Sequence, residues 1–101
     1  MLVTLRQLQY VIAVAETGSF SKAADLCHAE QSTISQQVKT MEEKLGVQIF
    51  DRNTLPIRIT KDGEEIVQKA RYIIDKVEEL IQPFKAKPNR FAPLDEPAKL
   101  A

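Results

Sequence analysis

The apolar positions of this chain fall into helical stripes and one short stretch of period two. Leu5, Leu8, Ile12 and Ala15 form the first stripe, and Val11 and Val14 widen it beyond a single face. Thr4 is a suitable N-cap and Gly18 a suitable stop, so a helix is predicted from Thr4 to Thr17. An apolar arc that wide needs cover from two sides. Next, Ser19 or Ser21 caps a short helix whose small apolar face is Phe20, Ala23, Ala24 and Cys27. The stretch Cys27-His28-Ala29-Glu30 breaks the pattern. Ile34, Val38, Met41 and Leu45 then recur at spacings of four, three and four, one face of a third helix that Gly46 ends.

After Gly46 the period shortens. Val47, Ile49 and Asp51 alternate with Gln48, Phe50 and Arg52, and Ile57 and Ile59 flank Arg58. Asn53-Thr54-Leu55-Pro56 between them is a turn signal, so a two-stranded hairpin is predicted, with Pro56 at a strand edge or start. Thr60 caps the last helix, and Asp62, Glu64 and Glu65 suit the positive end of its dipole. Ile66, Ala70, Ile73, Val77, Leu80 and Phe84 then form a heptad seam, and Val67, Ile74 and Ile81 a second row beside it. A monomer needs only one such row. The second is expected to face a partner chain, in a homodimer with Ile66, Ala70, Ile73, Val77 and Leu80 at the contact. Pro83 removes a backbone donor and crowds the carbonyl of Glu79, so the helix is expected to kink or end near Ile81. Residues 85–101, with Pro88, Pro93 and Pro97, read as linker or disordered tail. The final Lys99-Leu100-Ala101 is similar to residue left by an expression vector.

The polar face of the third helix carries the candidate chemistry. At about 100° per residue, Ser32, Gln36, Lys39 and Glu43 lie opposite the Ile34 stripe, with Thr33, Ser35 and Thr40 beside them. The first two turns hold hydroxyls, amides and one amine, groups able to read base edges in a major groove. Glu42, Glu43 and Lys44 are the mixture of an ordinary solvated surface. Two helices, a tight turn and a reading surface at the start of the second make a helix-turn-helix; the bland counterpart is a plain helical hairpin. Arg52 and Arg58 flank the hairpin loop, where a wing would meet a phosphate backbone.

Composition complicates this picture. The 101 residues carry fourteen basic and fourteen acidic side chains, whereas nucleic-acid binders usually show a basic excess. The balance holds on both sides of Thr60, so any basic patch must come from placement. One cysteine excludes an internal disulfide and suits a reducing cytoplasm. Cys27, on an apolar face, reads as a small buried hydrophobe. With one histidine and one cysteine there is no zinc set, and no orienting third group for catalysis. No metal, cofactor or enzymatic activity is expected. The chain has no apolar run of membrane-spanning length, and Met1 to Arg6 lacks the layout of a signal peptide.

Several motifs occur together and in order: Leu5-Arg6-Gln7-Leu8 with Tyr10; Gly18 through Ala24; Gln31 through Gln37; Leu45 through Arg52; and Thr60 with Gly63. Over roughly residues 2–84 the chain resembles the N-terminal DNA-binding domain of LysR-type transcriptional regulators, and Cys27-His28 is similar to the OxyR-like, hydrogen-peroxide-sensing branch. The resemblance implies a mainly α fold: a winged helix-turn-helix over residues 1–60 and a long linker helix over 61–84 that dimerises. On the polar face and wing read above, and within the matching motif, the expected DNA contacts are Gln31, Ser32, Thr33, Ser35, Gln36, Lys39 and Thr40, with Arg52 and Arg58 on the wing. It further implies double-stranded DNA bearing an interrupted inverted repeat, tetramers of the full-length protein, and an effector domain, absent from this sequence, that takes the signal. Two departures stand out. Glu30-Gln31-Ser32 replaces the family's usual Ser-Gln-Pro, and Gln36 stands where many members have Arg or Lys. A dimerising winged-helix module that binds protein, favoured by the zero net charge, is the alternative function.

Overall fold

The computed structural model describes residues 3–85. Helix α1 (Leu5–Thr17) is followed by α2 (Phe20–Cys27) and α3 (Gln31–Leu45), a hairpin of β1 (Phe50–Asp51) and β2 (Arg58–Ile59), and α4 (Lys61–Lys85). The strands are antiparallel, with Phe50 opposite Ile59 and Asp51 opposite Arg58.

Each helix starts and stops for a local reason. The Thr4 hydroxyl accepts from the Gln7 N–H at 3.1 Å, and the Gln7 side chain accepts from the Thr4 N–H at 3.0 Å, a reciprocal capping box. Ser19, rather than Ser21, caps α2 by accepting from the Lys22 N–H. Gly18 and Gly46 close α1 and α3 in the left-handed conformation. His28 closes α2 in the same conformation, at φ 54°, a place where glycine would be less strained.

The core forms where α1 meets α2, α3 and α4. Val11, Val14, Ala23, Ile34, Val38, Ile49 and Phe50 are sealed from solvent. The face of α1 differs in detail from the expected stripe: Leu8, Tyr10, Val11, Ala13 and Val14 are buried, whereas Leu5 is exposed and Ile12 and Ala15 are half-buried. The alternation expected after Gly46 is also absent, because Ile49 and Phe50 are both buried. The strand lasts only two residues, and what precedes it is pinned from above. The Ile49 carbonyl accepts from the Thr60 N–H at 2.9 Å. Gly63 of α4 passes so close to that carbonyl that a β-carbon at 63 would collide with it. The Thr60 hydroxyl meanwhile caps α4 by accepting from the Gly63 N–H at 2.9 Å.

α4 divides into two parts. Val67, Ala70 and Ile74 pack on the core, and Arg71 pairs with Glu16 of α1 at 2.7 Å. Ala70, expected at the partner-facing seam, is 1% exposed within its own domain, because it belongs to the core cluster that α4 forms with α1. The boundary expected after Thr60 therefore does not separate two packing units. Beyond Ile74 the apolar side chains of α4 are largely uncovered: Leu80, Ile81 and Phe84 are exposed, as are Tyr72 and Ile73 on the outer side of the preceding turn. The helix also runs through Pro83 to Lys85 instead of ending near Ile81. Proline's fixed φ is itself helical, and one exposed turn loses only the bond to the Glu79 carbonyl, which water can replace. Lys85 is thus helical, and the rest of the expected tail lies outside the described residues.

Candidate nucleic-acid interface

The first two turns of α3 present the polar surface anticipated from the sequence. Gln31, Ser32, Thr33, Gln36 and Lys39 are exposed, while Ser35 and Thr40 are half-buried at its edge. The opposite side is fixed by Ile34, Val38 and Met41 in the core. A partly buried hydrogen bond adds to this: Gln7 Nε2 donates to Gln37 Oε1 at 3.1 Å, tying the α1 capping box to α3. The polar face is therefore presented by a helix that cannot rotate. The Gln36 amide lies along the helix and donates to the Thr40 hydroxyl at 3.3 Å, a long exposed bond that a better acceptor would displace at little cost. Glu30 at the N-cap makes no side-chain capping bond.

The two wing arginines differ. Arg58 is exposed and, among the described residues, makes no side-chain hydrogen bond or ion pair. Arg52 points inward, contrary to the expectation of a free backbone contact. Its guanidinium donates to the Ser35 hydroxyl at 3.0 Å and pairs with Glu42 at 3.2 Å. It lies 4.6 Å above the Phe20 ring, which meets Phe50 edge-on at a centroid distance of 6.1 Å. Arg52 is thus a brace joining the wing to the recognition surface. It also occupies one acceptor site of the Ser35 hydroxyl, leaving that hydroxyl's proton free to donate outward.

The sequence pattern alone groups Glu42 with solvated surface, and the structure corrects this. One carboxylate oxygen accepts from the backbone N–H groups of Ile49 and Phe50, at 2.8 and 3.2 Å, and the other from Arg52. Its side chain is only 13% exposed. A signal did exist: a carboxylate in the last turns of a helix opposes the dipole, so its presence asks for a compensating partner. The missing information was that the partner lies seven and eight residues downstream, around a turn.

Cys27 is half-buried near Arg6 and Tyr10. Burial pushes its thiol up, against a smaller opposing pull from Arg6. This is the opposite direction from the lowering that marks a reactive cysteine. Among the described residues no cluster of histidine, cysteine and carboxylates could hold a metal ion, and no helix is long and apolar enough to cross a membrane.

A family profile described as bacterial regulatory helix-turn-helix protein, lysR family, matches residues 5–64. The chain is 37% identical over 76 residues to the DNA-binding transcriptional dual regulator OxyR of Escherichia coli, covering 75% of this chain and 25% of that protein. It is 36% identical over 81 residues to the HTH-type transcriptional regulator BenM of Acinetobacter baylyi, covering 80% and 27% respectively. The chain thus spans about a quarter of the length of these curated relatives, which are named as regulators and not as enzymes. A crystal structure of the BenM DNA-binding domain with benA site 1 DNA superposes with a TM-score of 0.78 at 34% identity, covering 83% of this chain and 94% of that one.

Proposed function

The chain belongs to the lysR family of bacterial regulatory helix-turn-helix proteins, and from that premise we propose that it is the promoter-binding part of a longer cytoplasmic transcription regulator. In this reading α3 enters a major groove by its N-terminal turns, with Gln31, Ser32, Thr33, Gln36 and Lys39 toward the DNA and the Ser35 hydroxyl donating from its edge. Arg58 contacts the phosphate backbone from the wing. The observation that carries the reading is the exposed polar row on a helix whose other face is sealed and whose rotation is blocked. The BenM domain, of the same family and fold, forms a complex with DNA, which supports it.

Dimerisation through α4 belongs to the same proposal. Leu80 and Phe84 are 69% and 59% exposed, and together with Ile73 and Val77 they leave an apolar row unpartnered in one chain. An apolar groove of about 610 Å³ opens at its inner end, lined by Val3, Leu5, Leu45 and Ile66 among others. Continuous apolar surface of this kind marks an association site, and a two-fold axis lets one patch serve both copies. The dimer would set two α3 helices on the half-sites of an interrupted inverted repeat. Tetramers and the effector response belong to the longer protein.

A salt titration of binding to operator fragments tests the DNA reading, with light scattering as its companion. DNA binding predicts a linear fall of log affinity with log salt concentration and a steady preference for one sequence. A protein-interaction module predicts neither, and the balanced charge makes that contrast informative. A monomer mass at micromolar concentration, or one unaffected by Leu80→Glu, would count against the dimer.

A further inference from the structure

We infer that Leu55, at the tip of the wing, is an apolar probe of the minor groove that disfavours G·C pairs beside the site read by α3. The inference rests on the DNA-binding reading above. Leu55 is 87% exposed, the highest value among the exposed large hydrophobic residues described. The wing tip has no charge of its own, because residues 53–57 are Asn, Thr, Leu, Pro and Ile and Arg52 is turned inward onto Ser35 and Glu42. The tip therefore brings no charged side chain to DNA, and Leu55 is its most exposed apolar group.

Its position follows from two attachments. The base of the wing is tied to α3 through Arg52 and Ser35. The tip side is tied to the corner between α1 and α2, where the Ile57 N–H donates to the Gly18 carbonyl at 2.9 Å. Pro56 seats on Gly18 so closely that a β-carbon there would lie 2.9 Å from its own. In a helix-turn-helix the first helix of the motif crosses the sugar-phosphate backbone beside the groove its partner enters. A wing fixed against the start of that helix lies across this backbone, where the next groove is the minor one. The loop is also held internally, by Thr54 Oγ1 donating to the Pro56 carbonyl at 3.1 Å and by the Asn53 N–H donating to Asp51 at 3.0 Å. Leu55 is thus presented by a braced loop, which lowers the ordering cost of contact.

The chemistry then gives a direction. The minor-groove floor of an A·T pair carries acceptors only, whereas G·C adds the protruding guanine N2 amine. Leucine offers that amine no acceptor, so covering it strips water without return. Against an unobstructed A·T floor the same side chain packs, as apolar residues do in minor-groove proteins.

Inosine separates this from major-groove reading, because an I·C pair keeps the major-groove face of G·C but lacks the N2 amine. The affinity of the 101-residue chain should be measured on its selected operator with the flanking pairs changed among A·T, G·C and I·C. Wild type is expected to bind the A·T and I·C flanks alike, and the G·C flank about fivefold more weakly, as for partial loss of one leucine contact. Leu55→Ala should flatten the three while leaving the salt slope unchanged. Equal wild-type affinity for I·C and G·C flanks overturns the proposal, as does discrimination that survives in Leu55→Ala. So does a Leu55→Ala variant that binds every flank like wild type but, in the full-length regulator, no longer alters transcription, since that places a protein on the wing. In each of these cases the operator is still bound with a salt-dependent preference. Loss of that preference in wild type itself would instead sink the DNA-binding reading.

Discussion

The two ends of α3 are both polar in sequence and do opposite things. At the N-terminal end, Gln31, Ser32, Thr33 and Gln36 stand in solvent, and the one side-chain bond they make among the described residues, from Gln36 to Thr40, is long and exposed. At the C-terminal end Glu42 is engaged internally, holding two backbone N–H groups of the segment entering the wing and the guanidinium of Arg52. One end is available because the other is committed. A surface that reads DNA needs groups without prior partners, on a support that does not shift when they find some. Glu42, Arg52, Phe20 and Phe50 supply the support.

Removing the committed end should have the largest effect. Glu42→Ala leaves two backbone donors and a half-buried guanidinium without their acceptor, and is expected to cost about 2–4 kcal/mol in urea unfolding. A loss below about 0.5 kcal/mol, the level of an ordinary surface change, would erase the distinction between the two ends. Gln36→Ala should leave stability untouched and cost about 1–3 kcal/mol on the best operator and far less on random DNA. Equal weakening on both would make Gln36 a backbone contact. The two arginines sharpen the contrast: Arg58→Ala should lower the salt slope by about one unit, while Arg52→Ala should lower the melting temperature and weaken binding with less change in slope. The same slope change in both would return Arg52 to the backbone-contact role expected of it from sequence. The smallest effect belongs to the turn that aims the free end. His28→Gly should raise stability by about 0.5–1 kcal/mol, because glycine takes the left-handed conformation without strain. A destabilised variant would mean that the His28 side chain holds the turn.

Much of this molecule is readable from local pattern, and the exceptions share a cause. The four helices, the caps at Thr4 and Thr60, the stops at Gly18 and Gly46 and the presence of a wing all follow from spacings of a few residues, whereas the choice of Ser19 over Ser21 does not. So does the exposed row from Gln31 to Lys39, because the side of α3 opposite Ile34 and Val38 is fixed by the helical period. The resemblance to LysR-type regulators rests on the same local motifs, and the family match bears it out.

Tertiary structure alone decided the remainder. Arg52 and Arg58 are equivalent in sequence, each beside the wing loop, yet one braces and the other is exposed. The choice depends on where Glu42 and Ser35 stand in space. Ile49 and Phe50 would not both be buried in a regular half-exposed strand, and are so here where Thr60 and Gly63 of α4 hold the Ile49 carbonyl and Phe20 meets the Phe50 ring. Ala70 sits on a heptad seam by spacing and in the core by position. Helical and strand periods state which residues share a face. They do not state which neighbour covers it, because contacts between segments far apart in the chain arise only when the elements pack.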